Sequence, residues 1–108
     1  MAWLLREGDV LASAEVRSGP FALWASYPAK NREVVYVISD AKFTHSLHRK
    51  ADTKVIFCDR NMKVLKVSDL SPRRLSPIVP RSKWAVIADQ RVAQSWHIKV
   101  GDQLELRI

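Results

Sequence analysis

The hydrophobic positions of this chain alternate with polar ones in short runs, the period of half-buried strands rather than helices. The last residues show it most plainly. In "WHIKVGDQLELRI", Leu104, Leu106 and Ile108 alternate with Gln103, Glu105 and Arg107 directly after Gly101-Asp102. The pattern predicts a closing strand with its three apolar residues on one face. Gly101 permits the sharp turn before it, and Asp102 can accept from nearby amides to hold that turn. The opening residues "MAWLLREGDVLASAEV" predict a hairpin around Glu7-Gly8-Asp9. "EVVYVISD" is rich in β-branched residues and reads as a strand, and "KFTHSLH" as a further one. "TKVIFCD-RNM-KVLKVSD" is the clearest hairpin, with Asp59, Arg60 and Asn61 in its turn and Asn61 suited to the left-handed conformation. "KWAVIA" is another strand.

Two stretches break the strand pattern as helices. Residues 20–27 begin with Pro20 and end before Pro28, and place Phe21, Trp24 and Ala25 on one face. "DQRVAQSW" starts on Asp89 as a cap and sets Val92 and Trp96 four apart. "LSPRRLSPIVP" carries three prolines and can be neither a helix nor a central strand, so it must run over the surface. The expectation is a mainly β fold: a compact sandwich-like or barrel-like sheet of six to eight short strands with one or two short helices. With 108 residues, 47% of them hydrophobic, residues 1–108 are expected to form one globular domain.

Charge changes the picture more than composition does. The net charge is +7, and it is not spread evenly. Residues 42–84 hold eleven Lys/Arg against three Asp/Glu, while the flanking segments nearly cancel. A basic middle attracts polyanions and acidic surfaces. The candidate binding residues are Arg73, Arg74, Arg81, Lys83, Lys63 and Lys66. The expected partner is a protein or a polyanion. Nucleic acid is the alternative, with Trp24, Tyr27, Tyr36 and Trp84 available for stacking. No RNA-recognition signature or helix-turn-helix is visible.

Other chemistries find little support. The one cysteine, Cys58, lies in an apolar run and reads as a buried small hydrophobe. His45 and His48 fall on opposite faces of an extended segment beside Arg49 and Lys50, which disfavours a metal, so no metal or cofactor is expected. The three glycines, at 8, 19 and 101, are isolated, so no phosphate-binding loop exists, and no nucleophile elbow is present. No catalytic residue is nominated. An enzyme using His45 and Asp59 is the third reading, after a binding module and a nucleic-acid binder. "MAWLL" meets Arg6 and Glu7 at once, too short for a signal sequence, and no apolar run would span a membrane. A cytoplasmic location is expected.

Three stretches, "THSLHRKADTKVIFCDRNMKVLKV", "KWAVIA" and "VAQSWHIKVGDQLEL", resemble the domain-of-unknown-function family 192 of bacteria and archaea, and the "LLREGDVLASAEV" start is similar to its actinobacterial branch. The resemblance covers most of the chain and implies a bacterial, mainly β protein. Its matching positions are His45, Asp59, Gly101 and Asp102, and the family attaches no established activity to them. The chain departs from the family where Pro-Ile/Leu-Asp becomes Asp52-Thr53-Lys54, and where Gly-Met-Arg becomes His48-Arg49-Lys50. A later Leu-Glu falls near Ile87-Ala88, so a second acid is lost, and "FALWASYPAKNR" lacks the family's helix glycine. Some small barrels, including DNA-binding ones, place a similar Gly-Asp turn between strands. That analogy supports the nucleic-acid alternative without fixing a function.

Overall fold

The computed structural model describes residues 2–18, 34–44 and 52–108. Within them, seven strands form one curled sheet: β1 (Ala2–Arg6), β2 (Asp9–Arg17), β3 (Val34–Ser39), β4 (Thr53–Cys58), β5 (Val64–Leu70), β6 (Trp84–Asp89) and β7 (Leu104–Arg107). Their order across the sheet is β5-β4-β6-β3-β2-β1-β7. All neighbours are antiparallel except β2 and β3, which run parallel. A four-residue helix α1 (Gln90–Ala93) continues into a 3-10 turn (Gln94–Trp96). The mainly β expectation holds, with the strand number inside the expected range.

The sequences of the central strands explain why they sit in the middle. β3, β4 and β6 read "VVYVIS", "TKVIFC" and "WAVIAD", apolar on both faces, as strands covered on both sides must be. Successive residues divide between two cores. Val35, Val37, Ile56, Cys58, Val86 and Ala88 point into the curl. Tyr36, Ile38, Val55, Phe57, Ala85 and Ile87 point to the outer face. Trp96 closes the inner core, with Val92 packed against it, as their four-residue spacing predicted. Asp89 caps the helix, its carboxylate Oδ1 accepting from Arg91 N at 2.9 Å.

The sheet edges meet at one corner. Gly101 N donates to Val64 O at 2.8 Å, Val64 N to Asp102 O at 2.9 Å, and Leu104 N to Met62 O at 3.0 Å. These bonds join the start of β5 to the turn before β7. Gly101 takes φ +95°, a conformation side chains disfavour, as its place in the turn requires. Asp102 holds the turn by accepting from Lys99 N at 2.9 Å and donating its own N–H to Lys99 O at 3.0 Å.

Four sequence expectations need correction. The first hairpin turns on Glu7-Gly8 alone, both with positive φ, and Asp9 already belongs to β2, paired with Arg6. Two residues with φ > 0 give the twist that matches the flanking strands. In the β4–β5 hairpin the left-handed residue is Met62, at φ 65°, not Asn61. Asp59 Oδ1 accepts from both Asn61 N at 2.8 Å and Lys63 N at 3.0 Å, and Met62 N donates to Asp59 O at 3.0 Å. The turn is thereby complete at Asn61, and the next residue must reverse the chain into β5. Met62 accepts that conformation because its side chain enters the inner core. Lys42–Thr44 are not strand, so the described part of "KFTHSLH" is a loop, held by bonds to the proline segment instead of a ladder. Finally, Leu104 and Leu106 join the inner core, but Ile108 is 89% exposed because β7 ends at Arg107. The predicted helix over 20–27 and the positions His45, His48, Arg49 and Lys50 lie outside the described residues.

Candidate interaction surface

The segment between β5 and β6, residues 71–83, crosses the outer face of the sheet. Its direction follows from the register. Leu70 pairs with Thr53, and Thr53 with Asp89, at one end of the sheet; Trp84 pairs with Cys58 at the other. The chain must therefore travel the length of β4, six residues or about 17 Å, to enter β6. Pro72, Pro77 and Pro80 remove amide donors along this path and forbid a helix.

From Ser76 onward, every third residue of the crossing faces inward. Ser76 and Ser82 are buried, and Val79 between them packs on the outer core. Three-residue repetition is the periodicity of an extended polyproline-like path. The bed beneath it is Ala41–Thr44. Ser76 N donates to Thr44 O at 2.9 Å while Thr44 N donates to Ser76 Oγ at 2.8 Å. Val79 N donates to Lys42 O at 2.7 Å, and Ser82 Oγ to Ala41 O at 2.6 Å. Lys83 N reaches Cys58 O at 2.8 Å. A loop tied to its bed by these bonds is held in place and presents one set of side chains outward.

That outward set is apolar in the middle and basic at both ends. Leu75 is 65% exposed and Ile78 72%, and Phe43 on the bed is 43% exposed. Arg73, Arg74, Arg81 and Lys83 are all exposed. The structure does not gather the six candidate cations into one patch. Arg73 and Arg74 follow β5 at the Thr53 end. Arg81 and Lys83 precede β6 at the Cys58 end. Lys66 lies opposite Phe57 on the same outer side of the sheet, and Lys63 lies just past the hairpin turn, its carbonyl accepting from Asp59 N at 3.0 Å. The described ion pairs are Arg6–Asp102, Arg17–Glu15, Lys54–Asp69 and Arg107–Glu105. Among the described residues, none of Lys63, Lys66, Arg73, Arg81 and Lys83 is in an ion pair.

Of the matching positions of the family resemblance, Asp59, Gly101 and Asp102 have turn-building geometry, and His45 lies outside the described residues. Asp59 and Asp102 each accept backbone amides within their own turns, and Asp102 also meets Arg6 Nη1 at 3.4 Å. Lys54, where the family has an acid, forms a cross-strand ion pair with Asp69 at 3.0 Å. Ile87 and Ala88 are buried on opposite faces of β6. Cys58 is fully buried, and burial, with the Asp59 carboxylate next to it, pushes its thiol up to about 12. A thiol so placed stays protonated at neutral pH and is a poor nucleophile. Among the described residues, no group of three or more His, Cys, Asp or Glu is placed to hold a metal ion, and no helix is long and apolar enough to cross a membrane.

The exposed apolar centre is what sequence reasoning missed. "RRLSPIVPR" shows the cations at once, but only the hydrogen bonds to Ala41–Thr44 decide that Val79 turns in while Leu75 and Ile78 turn out.

No protein-family model matches the sequence, and no curated protein matches it significantly. Two solved structures share its fold. A crystal structure of a protein of unknown function from Novosphingobium aromaticivorans DSM 12444 superposes with a TM-score of 0.73 at 14% identity, covering 96% of this chain and 82% of that one. A protein from Sinorhizobium meliloti 1021, named "putative transcription regulator", superposes with a TM-score of 0.72 at 9% identity, covering 96% of this chain and 90% of that one. At such identities the likeness is one of fold: this chain is a small mainly β protein of the same architecture as both.

Proposed function

We propose that the protein is a divergent member of the domain-of-unknown-function family 192 and acts as a non-catalytic binding module. Its partner is a protein with an acidic, partly apolar surface. The observation that carries this reading is the anchored crossing loop, with Leu75 and Ile78 exposed between two pairs of arginine and lysine. Exposed aliphatic side chains contribute only where a partner covers them, and flanking charges steer that partner and set its orientation. Nucleic acid gains little from Leu75 and Ile78, since its outer surface is phosphate.

A second reading keeps the same basic segment for nucleic acid. It is favoured by the eleven cations of residues 42–84 and by the name of the Sinorhizobium meliloti neighbour. A titration of labelled duplex DNA and single-stranded RNA at low and physiological salt separates the two. The protein-partner reading expects weak binding that disappears at physiological salt, as scattered surface cations give. Submicromolar binding that survives physiological salt and falls in Arg73→Ala/Arg74→Ala establishes the nucleic-acid reading instead.

A further inference from the structure

The prolines of the crossing loop set its backbone, and the bed beneath uses only part of it. Pro77 and Pro80 stand three apart, with Ile78 and Val79 between them. Each proline fixes its own φ at about −65° and biases the residue before it to extended backbone. Ser76-Pro77 and Val79-Pro80 therefore hold residues 76–80 in a polyproline-type path. Such a path has about three residues per turn, and so three ridges of side chains. The bed takes the ridge of Ser76 and Val79, whose amides donate to Thr44 O at 2.9 Å and Lys42 O at 2.7 Å. Two ridges remain. Pro77 and Pro80 form one, and both are exposed. Ile78, 72% exposed, stands on the other. The two proline rings lie about 9 Å apart along the path, at about 3.1 Å per residue. After Pro80 the chain turns, Ser82 N donating to Val79 O at 3.0 Å. The turn leaves Arg81 exposed beside the second ring, in no ion pair among the described residues.

We infer that the loop offers this Pro-x-x-Pro segment as a preformed ligand to a protein groove paved with aromatic side chains and edged by a carboxylate for Arg81. The inference rests on the proposed docking of a protein on this loop, and it names what the apolar part of that partner is. Extended proline segments dock in aromatic-lined grooves because their bound conformation is already populated and little ordering entropy is lost. Here the conformation is set twice, by the prolines and by the bonds to Thr44 and Lys42. A groove approaching from solvent meets the two ridges that the bed leaves free. The plainer role of the prolines, stretching the loop across β4, needs their fixed φ but no contact to their rings.

The test places a photo-reactive phenylalanine analogue at position 43. Phe43 lies between the two bed residues that anchor the loop and is 43% exposed, so the proline segment itself is untouched. The full chain is irradiated in its native cells, with the wild-type loop, with Pro77→Ala and with Pro72→Ala. Adducts are treated with nuclease, and the attachment site on the partner is mapped by mass spectrometry. Pro77→Ala alters an exposed side chain and keeps the Pro77 carbonyl that accepts from Ser76 Oγ at 2.9 Å, so the fold survives it. Hydrogen exchange at the Thr44 and Val79 amides reports whether the loop stays on its bed. The expected result is a nuclease-resistant adduct at a site carrying Trp or Tyr beside Asp or Glu. Its yield falls at least about tenfold in Pro77→Ala with both amides still protected, and holds in Pro72→Ala, which lies outside the segment. A nuclease-resistant adduct that Pro77→Ala leaves intact, or one mapped to a site without aromatic residues, overturns this inference while the protein-docking reading stands. Loss of the adduct together with amide protection also overturns it, since the prolines then serve only the anchoring of the loop. A nuclease-sensitive adduct, or none, overturns both.

Discussion

Replacing Ser82 by alanine tests whether the crossing loop is anchored. Ser82 is fully buried, and its hydroxyl donates to Ala41 O at 2.6 Å, with Trp84 O at 3.1 Å. Alanine nearly preserves the volume, so no cavity term of consequence enters. What is lost is the donor, which leaves the Ala41 carbonyl buried without this bond. Removing one partner from a buried hydrogen bond costs about 1–3 kcal/mol, because the survivor keeps its desolvation penalty. A loss of about 2 kcal/mol in a domain of this size lowers Tm by on the order of 10 °C. Urea denaturation should show a lower midpoint with an unchanged slope, since the surface exposed on unfolding is the same. Hydrogen exchange adds a local reading. The amides of Thr44 and Val79, which bond across the loop and its bed, should exchange faster than that of Val86 in the central sheet. Ser95→Ala is the control. Its hydroxyl donates to Val92 O from an exposed position, and its removal should stay within about 0.5 kcal/mol of the wild type. A Ser82→Ala variant as stable as Ser95→Ala, with Thr44 and Val79 still protected, refutes the anchoring.

Further outcomes follow from the same structure. Gly101→Ala meets nothing within 4 Å of the new methyl group, so its cost is the φ of +95° alone, about 1–2 kcal/mol by thermal melting, with the fold retained. Phe57→Ala, at a fully buried outer-core position, should cost about 3–5 kcal/mol in urea unfolding. Asp89→Ala removes the cap of the helix and should cost about 1 kcal/mol. Cys58, its pKa lifted from 9.0 to about 12, keeps its proton in the folded state while the unfolded thiol ionises, so it favours folding below pH 9 and loses that contribution as pH rises from 9 toward 12. Stability measured against pH should fall over that window and flatten in Cys58→Ala.

Local rules carried most of the fold. Gly101-Asp102, the Asp89 cap and the Val92–Trp96 spacing are governed by residues within a few positions of one another, and all three stand as the sequence implies. The misplacements came from long-range terms. Met62 takes the left-handed position because its side chain is wanted in the inner core, a demand set by Leu104 and Trp96 far along the chain. Ile108 continues the alternation of β7 but has no strand partner: β1 pairs with β7 only through Arg107. The candidate surface shows the same division. Its cations are legible in the sequence, but their separation over the length of β4 is a consequence of register. Which apolar residues face outward depends on Ala41–Thr44, some thirty residues earlier.

The proposed docking of a protein on the loop between β5 and β6 rests on Leu75 and Ile78, with the flanking cations steering the partner. The most direct measurement places a photo-reactive phenylalanine analogue at position 78 and irradiates the protein in its native cells. The expected result is one major adduct with an acidic polypeptide, resistant to nuclease, and lost when Leu75→Asp is combined with Arg73→Glu and Arg81→Glu. A nuclease-sensitive adduct, or an adduct unchanged by those substitutions, contradicts it.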